Sequence, residues 1–392
     1  ANRSRGSLSR ASVRALYGDK LRLSASRIDK FASCRFAYFM QYALKAKPHE
    51  PAGFTAPEMG TFMHKILEQV SREVASMGGY KSVDDETVTR LCDKYIDEYI
   101  TRELNDFHDK SKRFEYLFRR LTGSVHRIVL DLADELRRSD FQPLSFELDF
   151  ADTPQLPPLE LGEGEDKLVL TGIADRVDGW LHEGKLYLRV VDYKTGRKKF
   201  DLSDVLYGMN LQMLLYLFSL GENGKLLYGE EIVPAGVLYV PARDGVISVD
   251  GDISDAELEK KRNKGLRRSG LVLSDPEVIR AMEHADTPKY IPVDFKKNGP
   301  AGDALVSAER LGTLARHIDQ TLCEMASELR RGSIAADPYY AGQQENACIN
   351  CDYFDACRFA DGENGESMRS TPHLPATKVW SVLEGGEEDG EV

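Results

Sequence analysis

The sequence predicts an α/β or α+β domain in which a small sheet is clasped by helices. Helical periodicity comes first, strand patterns cluster in the middle of the chain, and helical periodicity returns near the C-terminal end. The chain has 392 residues, of which 42% are hydrophobic and 30% charged. That length and composition are typical of a folded protein with a large core.

The first elements are predicted to be helices. Ser24 or Ser26 can N-cap the first of them, which ends before Pro48. Further helices are expected from near Pro57, over 85–104 and over 112–138.

Strands follow, and two helices complete the pattern. Strands are expected over 143–150, 167–180, 184–193 and 231–240, and helices over 202–220 and 305–331. A turn at 182–184 joins the second and third strands. Pro234 and Pro241 predict that the last strand is irregular or lies at a sheet edge.

The charge of the chain is acidic overall but unevenly distributed. Lys and Arg number 52 and Asp and Glu number 64, and the net charge of −12 argues against a simple basic nucleic-acid binder. Basic residues are concentrated in 1–50 and 260–268, which favours a polyanionic partner, although each run can also be an ordinary solvated face. The acidic end, 384–392, is predicted to be disordered.

Several classes of protein are disfavoured. Six cysteines are too few for a secreted disulfide scaffold, and no apolar stretch approaches the roughly 20 residues that span a bilayer. The basic, polar start is not a signal peptide. We therefore expect a cytoplasmic protein without a membrane segment. The absence of an initiator Met fits a fragment of a longer protein, and processing would look the same.

The most informative stretch joins GIADRVD at 172–178 to VVDYKTG at 190–196. Asp175 lies on the first strand of the predicted hairpin, and Asp192 and Lys194 share one face of the second. Because Asp192 follows apolar residues, its carboxylate needs a partner such as a hard divalent cation. Lys194 would hold a water or stabilise charge on a phosphate. Strand alternation turns Asp178 away from Asp175, and we expect Asp178 to shape the turn. The alternative to a metal site is an ordinary hairpin with an Asp–Lys ion pair on its surface.

This constellation resembles the RecB-type nucleases of the PD-(D/E)XK superfamily. Gln212 and Tyr216, one helical turn apart after the hairpin, match the Gln-x-x-x-Tyr helix of that family. The resemblance implies a restriction-endonuclease-like core, with a small mixed sheet flanked by helices and enlarged by helical inserts. It also implies a nuclease centre that uses Mg²⁺ or Mn²⁺ and contains Asp175, Asp192 and Lys194, with Gln212 and Tyr216 beside them.

Two further residues enter through the same resemblance. His64, in GTFMHKILE at 60–68, matches a histidine metal ligand of the family, so the implied ligands are His64, Asp175 and Asp192. Glu147 matches a less strict acidic position of the family. Its side chain either contacts the metal or a water molecule, or has no such contact. A lone helical histidine, considered without the motif, is more often structural.

Cysteines provide a second chemical signal. Cys348, Cys351 and Cys357 form a tight triplet that needs a fourth ligand, for which Cys34 is the candidate. Four thiolates suit either zinc or an iron–sulfur cluster, and unligated cysteines are a third possibility. The remaining two cysteines fit buried helical positions: Cys92 and Cys323.

One remote cysteine followed by a C-terminal triplet is similar to the iron–sulfur branch of the RecB-type nucleases. The resemblance implies a 4Fe–4S cluster bound by Cys34, Cys348, Cys351 and Cys357. Joining the first of these to the triplet closes a loop of about 314 residues, which a chain-entropy model values at roughly 5–6 kcal/mol. We therefore expect the cluster to act as a C-terminal structural staple.

Within that branch, the long helical insert between His64 and Asp175 is most similar to the nuclease domain in the B-type subunits of AddAB-type ATP-dependent helicase–nucleases. The chain has no G-x-x-x-x-G-K-[ST] phosphate loop of its own. The resemblance implies a domain that processes double-strand DNA breaks for recombination and cuts the 5′-terminated strand. Its partners would be single-stranded DNA from an unwound duplex and an A-type helicase–nuclease subunit.

The predicted organisation is a basic linker over 1–20, a nuclease domain over 21–360, and a tail over 361–392. Three other functions stay open at this point. The chain can be a non-catalytic DNA-guiding domain with a structural metal cluster, a standalone RecB-like single-strand exonuclease, or a zinc-bound structural module.

Overall fold

A computed structural model describes residues 5–47, 56–108, 110–162, 167–196, 199–242, 254–363 and 365–385. The helices are α1 Arg10–Tyr17, α2 Ala25–Ser33, α3 Arg35–Tyr38, α4 Ala56–Ser76, α5 Asp85–Glu103, α6 Lys112–Arg137, α7 Leu202–Leu206, α8 Gln212–Tyr228, α9 Asp255–Leu266, α10 Pro276–Met282, α11 Ala308–Arg330, α12 Phe354–Cys357 and α13 Ala376–Leu383. The strands are β1 Leu21–Ser24, β2 Gln142–Asp149, β3 Leu159–Leu161, β4 Leu168–Thr171, β5 Ile173–His182, β6 Lys185–Lys194, β7 Glu231–Pro241, β8 Ser269–Leu273, β9 Asp294–Lys296, β10 Gly299–Ala301, β11 Leu305–Val306, β12 Tyr339–Gly342, β13 Glu345–Asn346 and β14 Arg369–Ser370.

Six strands form the central mixed sheet, in the order β11–β8–β7–β6–β5–β2. β5 is antiparallel to both β2 and β6, whereas β6 is parallel to β7. A parallel pair needs a crossover connection, which α7 and α8 supply. The predicted fold class, a small mixed sheet flanked by helices, is therefore confirmed.

Helices cover both faces of this sheet, and β6 contributes apolar residues to both of them. Leu188 and Val190 face a core that includes residues of α8 and α11. Val191 and Tyr193 face a second core, built from α4, α5 and α6. A strand buried on both faces loses the polar alternation of a half-exposed strand.

The first predicted helix is interrupted at Cys34, so the prediction of one continuous helix was wrong. Cys34 is extended, with φ −167° and ψ 123°, and separates α2 from α3. Its neighbourhood is shaped by distant parts of the chain. The Phe36 N–H donates to the carbonyl of Ala335 at 2.9 Å, and Arg369 donates to the carbonyl of Ala32. These contacts replace the i to i−4 bond that a continuous helix would make.

Two other predicted elements are also divided. The strand expected over 167–180 is β4 and β5, which belong to different sheets, because β4 pairs with β1 and β3. The helix expected over 202–220 is α7 and α8. Gly208 and Asn210, with φ of 77° and 61°, take left-handed conformations between them and end the first helix.

The proline-containing strand β7 is irregular, as predicted, but it is not an edge strand. It lies between β6 and β8. Its register against β6 shifts between Leu188 and Arg189, opposite Pro234. The irregularity accommodates Pro234, which has no N–H to donate to a neighbouring strand.

The segments predicted to be a linker and a tail both contain packed helices. Val13 of α1 is buried, as are Val379 and Trp380 of α13. The sequence did not indicate these short helices, because each of them buries too few residues to produce a strong periodic pattern. Most of the acidic stretch, 386–392, lies outside the described residues. No helix in the described ranges is both long and apolar enough to cross a membrane.

Candidate metal centre and cysteine site

The candidate metal centre lies in a fork where β5 and β6 separate. Their hydrogen-bonded ladder ends at the pair Arg176 and Val191, and the next residues on the two strands are Asp175 and Asp192. Beyond this point β6 continues to pair with β7, while β5 continues to pair with β2. In place of the next ladder bond, Asp175 Oδ2 accepts a hydrogen bond from the Tyr193 N–H at 2.8 Å. The carboxylate therefore lies between the separating strands.

Helix α4 brings His64 to the fork. Its Nε2 lies 2.9 Å from the carbonyl oxygen of Tyr193, and because a carbonyl only accepts, Nε2 carries the proton. Nδ1 lies 3.4 Å from Asp175 Oδ1. Burial by itself would lower the pKa of His64, but the hydrogen bond and charge of Asp175 outweigh it and raise that pKa to about 9. The Nδ1 atom of His64 therefore faces a position beside Asp175 where a positive charge is stabilised.

Glu147 on β2 completes a group of three. Ligand atoms of His64, Glu147 and Asp175 all lie within 4.8 Å of one another. Burial raises the pKa of Glu147 to about 7, and the charges of Asp175 and Glu68 add to this effect. Two carboxylates and an imidazole around one point form a donor set that fits a divalent cation. The fold thus brings to the centre a residue whose role the sequence left open.

The backbone at Glu147 is unusual for a strand. Its φ of 48° is left-handed, a conformation that costs a residue with a Cβ about 1–2 kcal/mol. The Arg72 guanidinium donates to the carbonyl of Phe146, the preceding residue, at 2.8 Å and holds this part of the strand from the side of α4. Such backbone strain is often found at functional sites.

Asp192 and Lys194 occupy the other side of the fork. Asp192 is 6% exposed, and its Oδ2 lies 2.8 Å from Lys194 Nζ. Burial and the charge of Asp175 raise the pKa of Asp192, which Lys194 partly offsets. Within the described ranges Asp192 Oδ2 lacks a hydrogen bond of normal geometry. Asp192 is not part of the group formed by His64, Glu147 and Asp175. A buried oxygen in this state fits a nearby cation. The Lys194 ammonium also lies 5.0 Å from the centre of the Tyr239 ring.

Gln212 and Tyr216 of α8 contact the start of β5. The Tyr216 ring stacks on Phe150 at 4.6 Å, and its hydroxyl is hydrogen-bonded by Gln212 and by the backbone of Ile173. Burial raises the pKa of Tyr216 to about 12, so the hydroxyl stays protonated. A Cβ on Gly172 would lie 1.8 Å from that hydroxyl oxygen, which explains the glycine. Tyr216 therefore fixes the strand end that carries Asp175.

Asp178 does face away from Asp175, but the prediction that it shapes the turn was wrong. The turn is made by Glu183 and Gly184, with φ of 49° and 76°, as a tight hairpin requires. Asp178 is fully buried and accepts both hydrogen bonds of the Arg176 fork, at 2.7 and 2.9 Å.

This pair belongs to a buried ionic network that sequence reasoning missed. Arg189 donates to Asp178 at 2.9 Å and lies 3.4 Å from Glu135, which in turn pairs with Arg268 at 2.6 Å. The available signal was the placement of charged residues among apolar ones in strands expected to be buried. Because Arg268 is buried here, the basic run at 260–268 does not form one exposed surface.

The four candidate cysteine ligands also come together. Burial raises the pKa of Cys34, and Cys351 adds to that rise. Burial likewise raises the pKa of Cys348 to about 11, with further contributions from Cys34, Cys351 and Cys357. These mutual effects show that the four sulfurs are neighbours. Cys92, as predicted, is a buried core thiol in α5.

Hydrogen-bond donors lie beside two of these sulfurs. Four neighbouring thiols are a donor set for either zinc or an iron–sulfur cluster. Backbone groups of Phe36 and Ala37 hydrogen-bond to the sulfur of Cys34, and Arg5 donates to that of Cys357 at 3.3 Å. Donors of this kind stabilise metal-bound thiolates.

Known proteins are similar to this chain over almost its whole length. The chain is 33% identical over 381 residues to the B-type subunit of the ATP-dependent helicase/deoxyribonuclease of Thermoanaerobacter sp. (strain X514), covering 95% of this chain and 33% of that protein. It is 34% identical over 389 residues to the protein of the same name from Caldanaerobacter subterraneus subsp. tengcongensis, with 96% and 33% covered. The chain spans about one third of the length of these relatives. Residues 22–358 match the PD-(D/E)XK nuclease superfamily, and the chain belongs to that superfamily.

Proposed function

We propose that this chain is a Mg²⁺-dependent DNA nuclease domain within a helicase–nuclease complex that processes double-strand breaks for recombination. The observation that carries the proposal is the strand fork, where His64, Glu147 and Asp175 converge beside the pair of Asp192 and Lys194. Membership of a nuclease superfamily supports the reaction class. The name of the relatives, which joins a helicase to a deoxyribonuclease, supports DNA as substrate and a helicase subunit as partner. Cutting of the 5′-terminated strand rests on the family resemblance. A cytoplasmic location rests on the sequence, in which no apolar stretch approaches the roughly 20 residues that span a bilayer.

The cation would be held by His64, Glu147 and Asp175, with Asp192 at its side. When bound, it polarises the phosphodiester and lowers the pKa of a water molecule. The residues themselves supply the rest of the arrangement. The proton on His64 Nε2 stays on the carbonyl side, which leaves Nδ1 free to act as a ligand.

Lys194 is the residue best placed to act on the reacting groups. Its side chain is 28% exposed, whereas its partner Asp192 is buried, so the ammonium lies at the mouth of the fork. There it would orient the attacking water and stabilise the negative charge that develops on the phosphate. Gln212 and Tyr216 act as positioning residues, because they hold the start of β5.

The four cysteines would bind a 4Fe–4S cluster that serves as a structural staple. The gathering of the four thiols, with hydrogen-bond donors at Cys34 and Cys357, supports this proposal. The site would join the interrupted first helix to the 348–357 segment. This staple would add to contacts that already link the same regions, such as the 3.0 Å bond from the Arg35 N–H to Asp337.

A cleavage assay on end-labelled single-stranded DNA tests the nuclease proposal. We expect the wild-type chain, alone and with its helicase partner, to cut DNA with Mg²⁺ and to stop when EDTA is added. Lys194→Ala should abolish cleavage and leave the melting temperature unchanged. Lys185→Ala, a surface lysine at the opposite end of the same strand, is the matched control and should cleave normally.

DNA binding without Mg²⁺-dependent cleavage by the wild type would overturn the proposal in favour of a DNA-guiding role. Full cleavage by Lys194→Ala would overturn the assignment of that lysine. Labels at the 5′ and 3′ ends of the strand, read separately on an unwound duplex, report which strand is cut.

A further inference from the structure

We propose that Tyr193 is a positioning residue, which connects the buried arginine network to the metal ligands and thereby sets the affinity of the centre for its divalent cation. The inference rests on the proposed function for its reaction, but it concerns the residue between Asp192 and Lys194, which is not assigned as a metal ligand or as a contact of the substrate. Tyr193 links the two systems because its backbone lies at the fork and its phenol lies in the network.

The backbone of Tyr193 contacts two of the three converging ligands. Its N–H donates to Asp175 Oδ2 at 2.8 Å, and its carbonyl accepts from His64 Nε2 at 2.9 Å. The first contact orients the carboxylate, and the second fixes the tautomer and the ring orientation of the histidine. Because both groups belong to one residue, a movement of Tyr193 displaces both ligands.

The phenol of Tyr193 is held from the opposite direction. Arg176 Nη1 donates to its hydroxyl oxygen at 2.7 Å. The same guanidinium is locked by the two hydrogen bonds to Asp178, and both side chains are completely buried. Arg176 therefore has little freedom to follow a displaced phenol.

The network behind Arg176 reaches other elements of the fold. Asp178 also accepts from Arg189, and Arg189 lies beside Glu135 of α6, which pairs with Arg268. Burying so many charges contributes little net stability, since apolar residues of similar volume often do as well. A network of this kind is better explained by the position that it specifies. Here the position specified is that of the Tyr193 ring.

The ring is also packed among hydrophobic neighbours. Tyr193 is 5% exposed and belongs to the core formed by α4, α5 and α6. Its ring lies edge-on to the His64 ring, with 5.8 Å between the centres. Loss of the hydroxyl bond therefore leaves the residue folded but less precisely placed, and that loss of precision reaches His64 and Asp175 through the backbone.

The test compares Tyr193→Phe with Tyr80→Phe and the wild type. Tyr80 is a matched control because it is 1% exposed, lies in the same core and donates or accepts one buried hydroxyl bond, with Ser71 at 2.8 Å. Mn²⁺ affinity is measured by calorimetry without DNA, alongside the Mg²⁺ concentration for half-maximal cleavage and the melting temperature.

We expect Tyr193→Phe to weaken Mn²⁺ binding about tenfold, the lower end of the loss seen when an outer-sphere partner of a metal ligand is removed. The half-maximal Mg²⁺ concentration should rise by a similar factor, while kcat at saturating metal stays near that of the wild type. Tyr80→Phe should lower the melting temperature to a comparable degree and leave Mn²⁺ affinity unchanged. Arg176→Lys, which cannot reach Asp178 and the phenol together, should also weaken Mn²⁺ binding.

Equal Mn²⁺ affinity in the wild type, Tyr193→Phe and Tyr80→Phe would overturn the inference and leave the hydroxyl a purely structural role. The metal measurement is independent of the proposed function. If the wild type bound Mn²⁺ but cut no DNA, the nuclease proposal would fail, and the three affinities would still decide the role of Tyr193.

Discussion

The strand fork and the cysteine site both gather side chains that can bind a metal, but they are built in different ways. The fork takes its residues from α4 and from three strands of a buried sheet, and backbone hydrogen bonds orient Asp175 and His64 directly. The cysteine site takes its residues from a break between two helices and from the 348–357 segment, whose described helix has a single turn. The comparison indicates that regular elements place the residues of the fork, whereas less regular segments place the cysteines.

The largest expected effect is a loss of DNA cleavage without a matching loss of stability. Asp175→Asn keeps the shape of the side chain and an acceptor for the Tyr193 N–H, but it removes the charge. We expect cleavage to fall about 10³-fold, since a metal ligand supplies several kcal/mol to such a reaction. The melting temperature in EDTA should change little, because relief of the repulsion with Glu147 offsets the lost interaction with protonated His64.

Asp178→Asn is the matched control for that experiment. The same change on the opposite face of the same strand leaves buried Arg176 and Arg189 poorly compensated. It should lower the free energy of unfolding by about 3 kcal/mol or more. A large fall in melting temperature for Asp175→Asn as well would show that the folding of the fork depends on the charge of Asp175.

The second prediction concerns the cysteine site. Cys34→Ser should remove iron from the purified protein and lower the free energy of unfolding by about 3 kcal/mol, because a long-range cross-link is lost. Mn²⁺ affinity at the fork should change little. Iron and sulfide analysis with thermal unfolding measures both effects.

Cys92→Ala is the comparison for Cys34→Ser, since Cys92 is a buried thiol in the core. It should lose some packing energy and retain all its iron. One zinc per chain, with no iron in the wild type, would show that the cysteine site is a zinc module instead.

The third prediction uses the ionic network behind the fork. Burial would raise the pKa of Glu135, but Arg268 and Arg189 outweigh it and lower that pKa to about 2, from an ordinary value of 4.5. A pKa that is lower in the folded state means that stability is fully present above about pH 4.5 and is lost as pH falls toward 2.

Urea unfolding between pH 6 and pH 3 should therefore show a loss of about 2 kcal/mol from this group. Glu135→Gln should be less stable at pH 6 and should lose less on acidification. An unchanged acid dependence in the variant would show that other carboxylates dominate, and that the network does not support the fork electrostatically.

The smallest expected effect concerns the support of the fork by α8. Gly172→Ala would place its methyl group 1.8 Å from the Tyr216 hydroxyl, so the start of β5 must shift. We expect cleavage to fall about tenfold, the cost of a ligand displaced by a fraction of an ångström. Gly172→Ala combined with Tyr216→Phe should recover part of the loss.

Gly196→Ala, near the end of β6, is the control because nothing lies within 4 Å of its added Cβ. Kinetics of DNA cleavage at saturating Mg²⁺ compare the variants. Normal activity in Gly172→Ala would show that Tyr216 does not control the position of Asp175.

Sequence reasoning succeeded where a property depends on neighbouring residues. The helices expected over 85–104 and 112–138 end within one residue of α5 and α6, because amphipathic periodicity is local. The resemblance to a nuclease family, carried by short motifs around Asp175 and Lys194, is confirmed by the superfamily match.

It failed where distant parts of the chain decide the outcome. The break at Cys34 depends on contacts with residues about 300 positions away, and nothing local marks it. The left-handed conformation of Glu147 and the partners of Arg176 likewise follow from how β2, β5 and β6 meet. Periodicity and short motifs contain no information on contacts between elements that are distant in the sequence.

The pairing of the chain's first strand has a consequence for its synthesis. β1 is hydrogen-bonded to β4, and the Phe36 N–H donates to the carbonyl of Ala335, which is made much later. At the usual 5–20 residues per second, the ribosome needs about 15–60 seconds between these two positions. During that time the Phe36 N–H lacks this partner, so closure of the N-terminal segment should be a late step of folding.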